Sequence, residues 1–109
     1  MPDLSVIVPA YNEAKRIAPS LEKIVAYLRA QPHSWELIVV DDGSRDETVE
    51  VVNKFTGGIP EAKLIGYQPN RGKGCAVKTG GLASKGVWVV FLDADLSTPP
   101  DEIEKALLY

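Results

Sequence analysis

The stretch Val87-Trp-Val-Val-Phe-Leu-Asp93-Ala-Asp95-Leu-Ser-Thr-Pro99 indicates both the fold and the place of the function. Residues 87–92 are all apolar and rich in β-branched and aromatic types, which predicts a strand buried on both faces, as in a parallel sheet. The strand ends in two carboxylates one residue apart. Because ligands of open α/β sheets bind beyond the carboxyl ends of the strands, Asp93 and Asp95 stand where a ligand is expected.

These two carboxylates repel each other unless a cation lies between them. At a separation of about 4 Å and an effective dielectric near 20, the repulsion is about 4 kcal/mol. A divalent cation that carries water and a phosphate-bearing substrate turns this repulsion into attraction. The alternative is an acid-rich helix N-terminus, with Asp95 or Ser97 as its cap.

Three further apolar runs predict strands, at residues 4–9, 35–40 and 62–67. The first is expected to end at Pro9, because proline has no N–H group to donate to a ladder. The last of the three is weaker because Lys63 and Gly66 interrupt it.

Helical patterns separate these runs. One apolar stripe predicts a first helix that ends before Pro32, and it consists of Ile17, Leu21, Ile24, Val25 and Leu28. Ser44 and Glu47 have the spacing of a capping box and predict the start of a second helix.

A glycine-containing turn at residues 70–78 leads into a third helix, which is expected to reach about residue 85. Gly80 and Gly81 within it indicate close packing or a close backbone approach. Thr98 and Pro99 are typical of the start of a fourth helix. The order β-α-β-α-β-α-β-α with short connections predicts one α/β domain over residues 1–109, with a parallel sheet covered on both faces. The short last helix suggests that this domain is truncated.

Composition narrows the classes of function. The chain has 109 residues, a formal net charge of −3, one cysteine and one histidine. Without a basic surface, no nucleic-acid partner is expected. A single cysteine fits a reducing compartment, and no apolar run approaches the ~18–20 residues of a membrane span, so a soluble cytoplasmic chain is expected. One cysteine and one histidine cannot form a zinc cluster.

Polar groups follow three of the four predicted strands, in Pro9-Ala-Tyr-Asn-Glu13, Asp41-Asp42-Gly-Ser44 and Asp93-Ala-Asp95. In a parallel sheet all three reach the same edge, and a site for a nucleotide and a metal explains them together. Glu13 and Asp42 are suited to accept hydrogen bonds from ribose or base, and Tyr11 to pack on a base. Helix-dipole stabilisation and an Asx turn are the structural alternatives for the two carboxylates.

Sequence motifs for phosphate binding are mostly absent. There is no G-x-x-x-x-G-K-[ST], and the pair Gly72-x-Gly74 neither follows the first strand nor has a third glycine. Arg71, Lys73 and Lys78 either neutralise phosphate or form a solvated basic turn, and the sequence leaves both explanations open.

Four motifs in this order resemble the family 2 glycosyltransferases of the GT-A fold, and the resemblance covers essentially the whole chain. They are Val6-Ile-Val-Pro-Ala-Tyr-Asn-Glu13, Val39-Val-Asp-Asp-Gly-Ser44-x-Asp46-x-Thr48, Asn70-Arg-Gly-Lys-Gly74-x-Ala76 and Asp93-Ala-Asp95. The segments 70–78 and 93–99 look most like the dolichyl- or polyprenyl-phosphate glucosyltransferase branch, with the dolichyl-phosphate mannose synthases next.

The resemblance implies the Rossmann-like, nucleotide-binding half of a GT-A fold. It implies transfer of a hexose from a nucleoside diphosphate sugar, of the UDP-glucose or GDP-mannose type, to a polyprenyl phosphate or a glycan acceptor. The metal, Mg²⁺ or Mn²⁺, would stabilise the charge on the leaving diphosphate. The resemblance also implies a role for each site residue. Pro9, Tyr11 and Glu13 would line the nucleotide pocket, and Val40 and Asp42 would hold base and ribose. Asp93, Ala94 and Asp95 would contact ribose and diphosphate, and Asp93 and Asp95 would also bind the metal and be catalytic.

Members of this family have a second half that binds the acceptor, and this chain ends shortly after its D-x-D segment. We therefore expect residues 1–109 to be inactive or nearly so alone, and to self-associate through apolar surface at the cut edge. A longer protein is expected to be peripheral to the cytoplasmic membrane face. Two alternatives are a non-catalytic nucleotide-binding module and a receiver-like signalling domain, which requires an aspartate where Gly66-Tyr67 ends the third strand.

Overall fold

The computed structural model describes residues 2–92, in which strands and helices alternate along the chain. The elements are β1 (Leu4–Ala10), α1 (Ile17–Ala30), β2 (Trp35–Asp42), α2 (Thr48–Thr56), β3 (Ala62–Tyr67), α3 (Lys73–Ala83) and β4 (Trp88–Phe91). The four strands form one parallel sheet in the order β3-β2-β1-β4. This confirms the predicted α/β class and parallel sheet, while the predicted fourth helix lies outside the described residues.

The register brings the carboxyl ends of the central strands together. Ala10 at the end of β1 pairs with Asp41 of β2, and Asp41 pairs with Gly66 of β3. Asp42 pairs with Tyr67, the last residue of β3. The segments that follow β1, β2 and β3 therefore start side by side at one edge of the sheet.

Helices cover both faces of the two central strands, β1 and β2. Strand side chains point alternately to opposite faces, so Val39 packs with the cluster that includes α1 and α2, and Val40 packs with the cluster under α3. The predicted apolar stripe of α1 is confirmed, because all five of its side chains are buried. No helix within residues 2–92 combines the length and apolar character needed to cross a bilayer.

β1 does not end at its proline as predicted. The strand continues through Pro9 to Ala10, and Pro9 is in register with Val40 of β2. Over the residues that the structure describes, the ladder between β1 and β4 runs only from Leu4 to Ile7. Pro9 therefore lies beyond the last described pair between β1 and β4. Its missing N–H group interrupts no hydrogen bond between these two strands among the described residues.

β4 forms within the predicted segment but is not buried on both faces. The side chains of Trp88 and Phe91 are 52% and 47% exposed, and Val90 is buried. In the described part of the chain β4 pairs only with β1, so it lies at the edge of the sheet. The apolar run predicted a strand correctly, but the predicted burial on both faces is wrong, because an apolar run does not reveal whether its strand lies at the edge of the sheet.

The two glycines of α3 differ in their surroundings. A Cβ atom added to Gly80 would lie 2.4 Å from Ile7 Cγ2 and 3.0 Å from Val40 Cγ2. The same atom added to Gly81 would have open space around it. The predicted close approach is thus confirmed for Gly80, where α3 packs on β1 and β2, and is wrong for Gly81.

We predict that Gly80→Ala lowers the free energy of unfolding by about 1–3 kcal/mol, because the methyl group must displace Ile7 or α3. Gly81→Ala is the matched control on the same helix. It should raise the free energy of unfolding by up to about 1 kcal/mol through helix propensity. Urea denaturation of both variants measures the difference, and equal effects at the two positions would contradict the packing described for Gly80.

Candidate functional site

The end of β2 is fixed by the buried carboxylate of Asp42. This carboxylate accepts hydrogen bonds from the Tyr67 hydroxyl at 2.5 Å, the Arg71 N–H at 2.8 Å and the Gly72 N–H at 3.0 Å. Burial raises the pKa of Asp42, but these three donors outweigh it and hold the pKa below its ordinary value. Burial and the bond to Asp42 raise the pKa of the Tyr67 phenol. An ionised Asp42 therefore anchors the segment between β3 and α3.

Close backbone contact supports the same junction. Gly43 has φ +68°, and a Cβ atom there would lie 2.3 Å from the Asn70 nitrogen. Only glycine fits this position, because it has both the left-handed conformation and the close approach. The Arg71 guanidinium lies 5.5 Å from the centre of the Tyr67 ring, within cation–π range.

The turn that follows β1 is held by side chains of the turn that follows β2. Three consecutive backbone N–H groups donate to side-chain oxygens: Asn12 to Ser44 at 2.9 Å, Glu13 to Thr48 at 3.0 Å and Ala14 to Asp46 at 3.3 Å. In return, Asn12 Oδ1 accepts the Arg45 N–H at 2.8 Å. These three amides are already used within the chain, so they are not free to cradle a phosphate, as the corresponding turn of a dinucleotide-binding fold does.

The predicted capping box is wrong. Helix α2 begins at Thr48, and no side-chain hydrogen bond forms at its cap residue Glu47. The carboxylate of Asp46 accepts the Thr48 N–H at 2.9 Å and also the Thr48 hydroxyl. Ser44 was predicted as the cap, but its hydroxyl is engaged by Asn12 instead. Burial raises the pKa of Asp46, and its hydrogen bonds with Thr48 and Ala14 lower it below the ordinary value.

The predicted pocket residues Tyr11 and Glu13 flank Asn12 in this fixed turn. Tyr11 is 39% exposed, so its ring is available to a ligand, and Pro9 before it is half-buried. Arg16 Nε lies 2.9 Å from Glu13 Oε2, but not in hydrogen-bond geometry. That buried oxygen accepts no hydrogen bond in the described part of the chain. Its charge is compensated by the neighbouring Arg16 guanidinium, and its hydrogen-bond acceptor positions are unused within residues 2–92.

The two remaining predicted residues of β2 differ in what they can offer. Val40 is fully buried beneath α3, so it exposes no surface to a nucleotide in this structure. Both oxygens of Asp42 already accept hydrogen bonds, and one of about four acceptor positions of the carboxylate remains. Its neighbour Asp41 is also buried, with one oxygen bound to the Ser44 N–H at 3.2 Å and the other unpaired within residues 2–92.

The structure brings together the predicted groups after β1 and β2, and it adds residues that the sequence did not single out. Tyr67 is the main addition. Its sign in the sequence is a tyrosine at the end of the predicted third strand, and the register places it opposite Asp42. Asp93, Ala94 and Asp95 lie outside the described residues, so their roles remain predictions. Among residues 2–92, no three His, Cys, Asp or Glu side chains are grouped closely enough to hold a metal ion.

We predict that Tyr67→Phe lowers the free energy of unfolding at pH 7 by about 1.5–3 kcal/mol, the range for a hydrogen bond to a charged group. Because the pKa of Asp42 is lower in the folded than in the unfolded chain, the contribution of its ionised form is complete above about pH 5. It is lost as the pH falls through the folded-state pKa. The difference between wild type and variant should therefore shrink in acid.

Urea titrations at several pH values between neutrality and strong acid measure this difference. Tyr11→Phe is the matched control, because no hydrogen bond of the Tyr11 hydroxyl is described, and it should change stability little. A Tyr67→Phe effect that stays the same at every pH would contradict the role of the charged carboxylate.

Comparison with known proteins gives one consistent result. Dolichyl-phosphate beta-glucosyltransferase ALG5C of Trichomonas vaginalis is 46% identical over 104 residues, which are 91% of this chain and 31% of that protein. The human dolichyl-phosphate beta-glucosyltransferase is 38% identical over 109 residues, 94% of this chain and 34% of that protein. The chain thus spans about one third of the length of these relatives.

Solved structures agree with the sequence matches. The mannosyltransferase PcManGT from Pyrobaculum calidifontis, in complex with GDP-Man and Mn²⁺, superimposes with a TM-score of 0.79 at 32% identity, over 97% of this chain and 31% of that one. S. aureus TarS 1-349 in complex with UDP-GlcNAc gives 0.74 at 28% identity, over 97% and 30%. The family profile described as glycosyl transferase family 2 matches residues 5–109. This chain therefore belongs to glycosyl transferase family 2.

Proposed function

We propose that this chain is the donor-binding part of a metal-dependent glycosyltransferase that moves a hexose from a nucleoside diphosphate sugar to a polyprenyl phosphate. The observation that carries the proposal is the group of Tyr11, Glu13 and Asp42 at one edge of the sheet, held by hydrogen bonds between loops. The ring supplies a surface for a base, and Glu13 and Asp42 supply acceptors for N–H or ribose hydroxyl groups.

The state of the turn after β1 supports metal dependence. A diphosphate needs positive charge or N–H donors, and three consecutive amides of that turn are engaged by Ser44, Thr48 and Asp46. Mg²⁺ or Mn²⁺ held by Asp93 and Asp95 would neutralise the diphosphate, and when bound it would stabilise the charge that develops on the leaving group. The complex of PcManGT with Mn²⁺ and GDP-Man is consistent with this choice.

The names of the sequence relatives support a dolichyl or other polyprenyl phosphate as the acceptor. A phosphate is already ionised near neutral pH, so this acceptor requires no general base on the protein. Because the chain spans about one third of these relatives, we propose that residues 1–109 bind the donor but do not transfer the sugar by themselves.

Calorimetric titration of UDP and then GDP, each with and without Mn²⁺, tests the donor site. We expect binding that requires the metal and weakens at least about tenfold in Asp95→Ala, which corresponds to about 1.4 kcal/mol. The control is Glu22→Ala, which removes an exposed carboxylate of α1 away from the sheet edge and should leave binding unchanged.

The preferred base then identifies the donor as a UDP-glucose or a GDP-mannose type. If neither nucleotide binds at millimolar concentration, the proposal fails. Binding that is the same without metal and in Asp95→Ala would instead favour a non-catalytic nucleotide module.

We further propose that the chain self-associates through β4 and the end of α3. Five large apolar side chains are exposed there: Leu82, Val87, Trp88, Val89 and Phe91. Large exposed apolar surfaces mark interaction sites or aggregation liabilities, and we propose that these side chains contribute to such a surface.

Sedimentation measurements at increasing protein concentration should give an average mass above the 11.8 kDa of one chain. The double variant Trp88→Ser/Phe91→Ser should return the mass toward that of the monomer, because it removes apolar area from the contact. Lys54→Ser, on the exposed side of α2, is the control and should behave as wild type. A wild-type monomer at all concentrations would contradict self-association.

A further inference from the structure

We propose that Thr48 is a positioning residue for the nucleotide, and that it acts through the turn that carries Tyr11 and Glu13 without contact with the ligand. This inference rests on the proposed donor-binding function. The side chain of Thr48 is fully buried at the first position of α2. Its hydroxyl oxygen accepts the Glu13 N–H at 3.0 Å, so it reaches the predicted pocket from a different element of the fold.

Helix capping alone does not explain this arrangement. A cap requires only a side chain that accepts an N–H group of its own first turn, and Asp46 already does this for Thr48. The additional bonds run to another turn. The amides of residues 12, 13 and 14 donate to Ser44, Thr48 and Asp46. These three hydrogen bonds form a tie between the turn after β1 and the turn after β2, which are distant in sequence.

The orientation of the Thr48 hydroxyl is determined by its partners. A hydroxyl has one hydrogen, and Thr48 donates it to the Asp46 carboxylate. The hydrogen bonds that lower the pKa of Asp46 also keep this carboxylate ionised, so it acts only as an acceptor. A lone pair of the hydroxyl oxygen is therefore left for the Glu13 N–H.

The turn needs this support because its backbone is strained. Asn12 has φ +51°, in the left-handed region that is unfavourable for residues other than glycine, although asparagine tolerates it better than most. The residues on either side of it are Tyr11 and Glu13. A turn that is already ordered loses less conformational entropy when a ligand binds. We therefore expect these hydrogen bonds to increase the affinity for the nucleotide.

The test compares Thr48→Val, which keeps the shape but removes the hydroxyl, with Thr48→Ser, which keeps the hydroxyl. The matched control is Thr56→Val on the same helix, where the hydroxyl donates to the Asn53 carbonyl of that helix. The two measurements are NMR hydrogen exchange of the Glu13 amide in the free protein and the Kd of the nucleotide with Mn²⁺.

We expect Thr48→Val to speed exchange of the Glu13 amide and to weaken nucleotide binding about tenfold, or about 1.4 kcal/mol. Thr48→Ser should retain both properties, and Thr56→Val should change neither. If Thr48→Val does not fold, Ser44→Ala removes the acceptor of the neighbouring Asn12 amide and is judged by the same two measurements.

Two results would overturn the inference, and they are distinguishable. If wild type binds nucleotide and Thr48→Val binds equally well despite fast exchange of Glu13, the tie is structural only and the positioning role is wrong. If wild type binds no nucleotide although the Glu13 amide is protected, the proposed function fails and the positioning role fails with it.

Discussion

The buried carboxylate of Asp42 is the interaction on which the candidate site depends. It accepts one hydrogen bond from Tyr67 at the end of β3 and two from the segment after β3, and the turn after β1 is held by Ser44, two residues further along the chain. A buried charge without such partners would be strongly unfavourable. The end of β2 therefore works as a central support, because Asp42 and Gly43 fix one neighbouring loop, and Ser44 to Thr48 fix the other.

The fold could be predicted from local patterns wherever burial follows from those patterns. The helical stripe from Ile17 to Leu28 and the bounds of β3 were predicted correctly, because periodicity and turn residues specify them within the segment itself. The surroundings of β4 and Pro9 could not be predicted in this way. Whether a strand is covered, and where a ladder stops, depends on segments that are distant in the sequence.

The candidate site, like the fold, could be predicted from the sequence only in part. The sequence predicted that Tyr11, Glu13 and Asp42 would meet at one edge, since parallel strands bring their ends together. It did not predict their partners. Ser44 and Asp46 are both good caps by composition, and only the position of the turn after β1 decides which of them serves α2. The role of Tyr67 likewise depends on register, which no single segment contains.

The strand order has a consequence for the way the chain is made. β1 is central, and its Leu4 pairs with Trp35 on one side and with Trp88 on the other. At a synthesis rate of about 5–20 residues per second, Trp88 leaves the ribosome about 3–10 s after Trp35. During that interval one side of β1 has no partner, although β2 is already available. The nascent chain therefore passes through a stage in which one edge of β1, a strand whose apolar side chains are buried in the complete sheet, is open to other chains and to chaperones.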